Sequence, residues 1–132
     1  MTADEAVRAW VEAWTRSWPS KDPAPVAERF APESTFRSQP FREAHVGPTG
    51  VAEYATWAFE EQEDVRFWFG EPVVGVNRAA VEYWAVITTP TGDTTIAGSA
   101  FLRFDAEGRV VEQRDYWSEL AGDREPPSGW GR

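Results

Sequence analysis

Hydrophobic positions along the 132-residue chain follow two periods in succession. Over the first half, Val7, Trp10, Val11, Trp14 and Trp18 recur at helical intervals, and Thr2 followed by Glu5 has the spacing of a capping box. This predicts a first helix that starts after Thr2 and stops at Pro19. Asp22-Pro23 opens a short second helix through Val26 and Ala27 to Phe30, which Ala31-Pro32 ends. Thr35 to Gln39 reads as a short strand with Phe36 and Ser38 on one face and Arg37 on the other, followed by an irregular loop from Phe41 to Gly47. Val51, Tyr54, Ala55, Ala58 and Phe59 then form the stripe of a third helix.

From Val65 the period changes to two. Strands are predicted near Val65 to Phe69, Pro72 to Val76, Ala79 to Thr89, Thr94 to Phe104 and Arg109 to Ser118. Pro90-Thr91-Gly92-Asp93 and Asp105-Ala106-Glu107-Gly108 carry hairpin turn chemistry, so the last three strands should form an antiparallel meander. Helices followed by strands imply an α+β domain, with helices on one side of a curved sheet. Residues 1–120 form one such domain, and 121–132 a Gly- and Pro-rich tail that Trp130 either anchors or leaves frayed.

Turn lengths suggest a register. Pairing Thr89 with Thr94 puts Trp84 opposite Ser99 and Glu82 opposite Phe101. Pairing Phe104 with Val110 then puts Asp115 opposite Ser99 and Gln113 opposite Phe101. Glu82, Trp84, Ser99, Phe101, Gln113, Asp115 and Trp117 would share one face, with Val81, Tyr83, Ala85 and Ile87 on the other, although a single bulge would reverse part of this set. Two acids among aromatics can divide acid and base work, Asp115 as base and Glu82 as acid, because burial drives one carboxyl pKa upward. They can equally pair with Arg37 or Arg103 and hold the sheet in register.

Composition narrows the functions. The net charge of −9 repels phosphate backbones and anionic bilayers, which argues against nucleic acid and membrane partners. With no cysteine and a single histidine, His45, the chain offers no thiolate nucleophile and no histidine-rich metal site. His45 and Arg37 are candidates for a cavity rim. No secretory signal pattern opens the sequence and no apolar run reaches the length of a membrane span, pointing to a cytoplasmic protein. Eight tryptophans and eight phenylalanines provide either a bulky core or the walls of a ligand pocket.

The tryptophan-rich first helix, Phe30-Ala31-Pro32-Glu33, Pro40 with Gly47, and Gly108-Arg109-Val110 leading to Arg114-Asp115-Tyr116-Trp117 together resemble the nuclear transport factor 2-like superfamily, in its SnoaL-like polyketide cyclase branch. The resemblance implies a cone-shaped α+β roll with a pocket between the bent, mostly antiparallel sheet and the first helix, and commonly a homodimer. From Pro90 to Tyr116 the chain is also similar to limonene epoxide hydrolases, and Asp115 falls on their catalytic aspartate. Their partner arginine and second aspartate fall on Glu82 and Trp84, and their water-holding tyrosine and asparagine on Phe36 and Ser38. Ketosteroid isomerases would place their base near Ser38 and their oxyanion tyrosine near Trp14. Neither chemistry is therefore implied as such.

Two classes of function follow. One is a cofactor-free lyase, isomerase, cyclase or hydrolase acting on a small apolar molecule, with Asp115 and Glu82 moving protons. Trp14, Phe36, Ser38, Trp84, Ser99, Phe101, Gln113 and Trp117 would then shape the site. The other is a non-catalytic small-molecule-binding or assembly module of the same fold.

Overall fold

In the computed structural model, which describes all 132 residues, the capping box is formed. Thr2 Oγ1 accepts from the Glu5 amide at 3.1 Å, and Glu5 Oε1 accepts from the Thr2 amide at 3.0 Å. Helix α1 runs from Ala3 to Ser20, with Pro19 inside its last turn. It ends at Lys21, which takes the left-handed conformation and donates its amide to the Trp18 carbonyl. Helix α2 is confined to Ala24–Ala27, shorter than its sequence pattern suggests, because Phe30 is already committed to a strand.

Strand β1 (Phe30–Arg37) lies parallel to the last strand, pairing Phe30 with Val110 and Thr35 with Glu112. Pro32 falls between these two pairings, where the ladder is interrupted, so its missing N–H costs no sheet hydrogen bond. A two-residue strand β2 (His45–Val46) occupies the end of the expected loop and pairs with β1. Helix α3 (Gly47–Phe59) follows, and then β3 (Asp64–Phe69), β4 (Val73–Val74), β5 (Arg78–Thr89), β6 (Gly92–Phe104) and β7 (Val110–Ala121). The seven strands form one mixed sheet in the order β2-β1-β7-β6-β5-β3, with β4 beside β5; only the β1–β7 pair is parallel. This is the α+β roll expected from the sequence. No helix is long and apolar enough to cross a membrane.

Both hairpin registers differ from those read from the turns. The first hairpin closes Thr89 on Gly92, so Glu82 faces Ser99 and Trp84 faces Ala97. This is a shift of two residues, which leaves each side chain on its expected face. The second hairpin does pair Phe104 with Val110, but Arg103 then pairs with Glu112. Val111 is thereby an extra residue in β7, a bulge that inverts every side chain beyond it. Asp115 lies opposite Ala100 rather than Ser99, and Gln113 opposite Leu102 rather than Phe101.

The helix-facing side of the sheet consequently carries Val81, Tyr83, Ala85, Ala100, Leu102, Gln113, Asp115 and Trp117. The other side carries Glu82, Trp84, Ser99, Phe101 and Tyr116. Helix α1 lays Val7, Trp10 and Trp14 over the first set, with Phe30, Phe36, Val51, Phe59, Val81 and Leu102 completing the main core. On the outer side, residues after Ala121 fold back over the sheet. Trp84 donates its indole N–H to the Arg124 carbonyl at 2.6 Å and meets Trp130 edge to face at 5.9 Å.

Gly98 on β6 permits the close approach of β7 that this geometry requires. A Cβ at this position would stand 2.1 Å from the Tyr116 carbonyl oxygen and 2.5 Å from Trp117 Cβ. Both are fixed by the ladder, so Gly98→Ala should lower unfolding free energy by about 1–3 kcal/mol, as overpacking of a core does. Urea denaturation checks this, and an unchanged midpoint would contradict the packing described.

Candidate functional site

Between α1, α3 and the inner sheet face lies a cavity of about 550 Å³. Its walls are largely aromatic: Trp10, Trp14 and Trp18 from α1, Tyr54 and Phe59 from α3, and Phe36, Phe69, Tyr83 and Trp117 from the strands. The helical spacing of the three tryptophans places their rings in a row, Trp10 and Trp14 at 6.2 Å and Trp14 and Trp18 at 6.0 Å, edge to face. Phe59 and Phe69 complete further edge-to-face contacts at 6.1 and 5.8 Å. Such geometry gains energy beyond the area buried and fixes the rings as a rigid wall.

Asp115, half-buried on the inner sheet face, is one of the residues lining this chamber. Its Oδ1 accepts from Gln113 Nε2 at 2.9 Å and its Oδ2 from the Tyr83 hydroxyl at 3.2 Å. No arginine forms an ion pair with it. Desolvation outweighs these two hydrogen bonds and raises the carboxyl pKa to about 7. Tyr83 shifts upward as well, by burial and by the neighbouring carboxylate, so its hydroxyl remains a donor at neutral pH. Burial pushes Tyr54 up to about 12, with Asp115 adding to the shift and Arg42 and Ser38 opposing it.

A further hydrogen bond sets the orientation of this group. Trp10 Nε1 donates to Gln113 Oε1 at 2.9 Å in the buried core. An indole N–H can only donate, so the Gln113 oxygen must face Trp10 and its amide nitrogen must face Asp115. Oδ1 is thereby held as an acceptor, and a proton added to the carboxyl belongs on Oδ2, beside Tyr83.

Trp14, Phe36, Gln113 and Trp117 line the chamber with Asp115, as their types suggest. Ser38 is fully buried just outside it, where its carbonyl accepts from Trp117 Nε1 at 2.7 Å. His45 packs on Tyr54 at 5.0 Å in a neighbouring groove, and the exposed Arg37 donates to the Arg42 carbonyl. Four expected site residues lie elsewhere. Glu82, Trp84, Ser99 and Phe101 point to the outer side of the sheet because the Val111 bulge inverts β7 while β5 and β6 keep their parity. Glu82 is exposed there, Trp84 holds the tail, and Phe101 meets Tyr116 at 5.7 Å. The alternative ion pairs are also not formed: Arg103 pairs with Glu112 at 3.8 Å, not with Glu82 or Asp115.

Trp10, Arg42, Tyr54 and Tyr83 also line the chamber, and the register reading misses them. A signal for Tyr83 is present in the sequence, since Val81, Tyr83 and Ala85 form the more apolar parity of β5 and so belong on the helix-covered face.

The family model for SnoaL-like domains matches residues 7–113. The chain belongs to the SnoaL-like family. Among solved structures, this SnoaL-like protein is similar to SalBIII, described as an epoxide hydrolase/cyclase-like enzyme in pyran ring formation in the polyether salinomycin. That likeness has a TM-score of 0.76 at 17% identity, over 89% of this chain and 95% of that one. A protein with a ketosteroid isomerase-like fold from Catenulispora acidiphila, solved with trimethylamine, gives 0.72 at 16% identity, over 83% and 85%. A protein named as a SnoaL-like polyketide cyclase from Shewanella denitrificans gives 0.72 at 13% identity, over 88% and 90%. At these identities the likeness is one of fold. No curated protein sequence matches the chain.

The raised carboxyl makes a prediction about stability. Folding raises the Asp115 pKa from an ordinary carboxylate value to about 7, so between these limits the folded chain binds more protons than the unfolded one. The contribution is fully present below about pH 4 and is lost as pH rises through 7. Urea unfolding should therefore show the parent losing stability over this window relative to Asp115→Asn. Gln113→Leu removes a hydrogen bond that lowers the pKa, so the titration, followed by carboxyl carbon NMR, should move above the parental value. A carboxyl that titrates near pH 4 in the parent would refute both.

Proposed function

We propose that this SnoaL-like protein binds a small, largely apolar molecule in the aromatic chamber and that Asp115 exchanges a proton with it, without a cofactor. The reaction would be of the lyase, isomerase, cyclase or hydrolase type. The observation that carries this reading is a carboxyl with no cationic partner on the wall of an aromatic-lined cavity, its pKa raised by burial to about 7. A group that must both take and return a proton works best with a pKa near the ambient pH. In this reading Tyr83, not Glu82, is the partner: its hydroxyl donates to Oδ2 when the carboxyl is ionised and is freed when the proton arrives. The epoxide hydrolase/cyclase-like and polyketide cyclase names among the fold relatives support a small-molecule substrate.

Compounds that raise the thermal midpoint of the parent identify ligands, and NMR in deuterated water then follows their conversion or deuterium uptake. Asp115→Asn should bind the same compounds and lose turnover by roughly 10²–10⁴-fold, the usual contribution of a general acid or base. Equal turnover by the variant would end the proton-transfer reading, and ligands bound but unchanged by the parent would leave the fold as a binding module.

The homodimer implied by the family resemblance is proposed to use the outer sheet face beyond the tail, where Phe101 and Tyr116 are 42% and 44% exposed. Sedimentation equilibrium should give twice the chain mass, shifted toward monomer by Phe101→Glu; a monomeric parent would refute the assignment.

A further inference from the structure

Arg42 is the one cationic side chain on the chamber wall. It also lines the adjoining groove with Ser38, His45 and Tyr54, and so stands where the two spaces meet. Its guanidinium lies 5.5 Å from the centre of the Trp117 ring, and Nη1 donates to Ser38 Oγ at 3.2 Å. These contacts hold the group in place but use only one of its five N–H donors. Five arginines, Arg8, Arg66, Arg103, Arg109 and Arg114, pair with carboxylates at the surface; Arg42 is among those that take part in no ion pair, and it alone of these lines the chamber. In a chain with a net charge of −9, acidic partners are plentiful, and Glu43 and Glu53 border the same groove without reaching it.

A half-buried guanidinium held over an indole is pre-organised, weakly hydrated and shaped for bidentate oxygen ligands. We propose that Arg42 is the anchor for a carboxylate, so that the ligand of the chamber is a small aromatic or alicyclic carboxylic acid whose apolar body lies against the tryptophan row. A phosphate group fits less well, because a dianion would share the chamber with Asp115 and pass Glu60, Glu61 and Glu119 on its walls. The inference rests on the chamber being a ligand site, but not on Asp115 being catalytic. It has one corollary: a bound anion disfavours the ionised form of Asp115, so binding at neutral pH takes up a proton.

Isothermal titration of 1-naphthoate and 1-naphthamide, two probes of nearly equal shape, tests this directly. The parent should bind the acid at least tenfold more tightly than the amide. Arg42→Met should abolish the preference and Arg42→Lys should keep part of it, with the Lys variant deciding the matter if the Met variant does not fold. Titrations in two buffers of different ionisation enthalpy should show proton uptake by the parent and none by Asp115→Asn, which keeps the preference for the acid. Equal affinities for the two probes, or a preference that survives Arg42→Met, would overturn the anchor. Failure of both probes to bind would overturn the chamber as a ligand site, while retained binding without any turnover in the deuterated-water experiment would remove the catalytic reading alone.

Discussion

One residue of β7 decides which chemistry the chamber contains. Without the extra residue at Val111, the strand leaving Val110 would continue its alternation, and Arg114 and Tyr116 would face the helices. The bulge sends those two outward and brings Gln113, Asp115 and Trp117 under α1. The cost is one unpaired position in the ladder, close to the turn, where Asp105 already accepts from the Glu107 and Arg109 amides at 3.0 and 2.9 Å. The strand is thus held firmly at one end while its far half is re-aimed.

Everything inside the chamber then depends on how a carboxyl is kept there. Burial alone would be costly, and the protein answers with neutral donors rather than a counter-charge. Trp10 fixes Gln113, Gln113 and Tyr83 fix Asp115, and the rigid ring wall of α1 holds Trp10 where the first hydrogen bond requires it. Because no cation intervenes, desolvation prevails and the group stays close to its titration point. The single cation of the chamber is turned to Trp117 and Ser38 instead.

Much of the fold was legible because its signals are local. The capping box at Thr2, the tryptophan stripe and the apolar stripe from Val51 to Phe59 act within a few residues of themselves, and the structure places each on the helix expected. Phe30 reads locally as the end of a helix because its parallel partner lies eighty residues away in Val110, and no local pattern announces a pairing of that kind. Of the residues expected at the site, Asp115, Gln113 and Trp117 lie on the chamber wall, while Glu82, Trp84, Ser99 and Phe101 lie on the outer face of the sheet. The reason is arithmetic: an error of two residues in the first hairpin preserves parity, whereas an extra residue in the second reverses it. Trp10 is legible as part of the helical stripe, whereas Tyr83 falls on the face opposite the expected site, and the polar atoms of both meet the Gln113–Asp115 pair only because β7 is turned.

The locked amide of Gln113 makes the two oxygens of Asp115 unequal. One is tied to Gln113, and the other stands beside Tyr83 on the wall of the aromatic chamber. A flat molecule lying against the tryptophan row would present a single side to that oxygen. A hydrogen passing between them would always travel to or from the same side, so the fold would impose handedness on a centre that has none in solution.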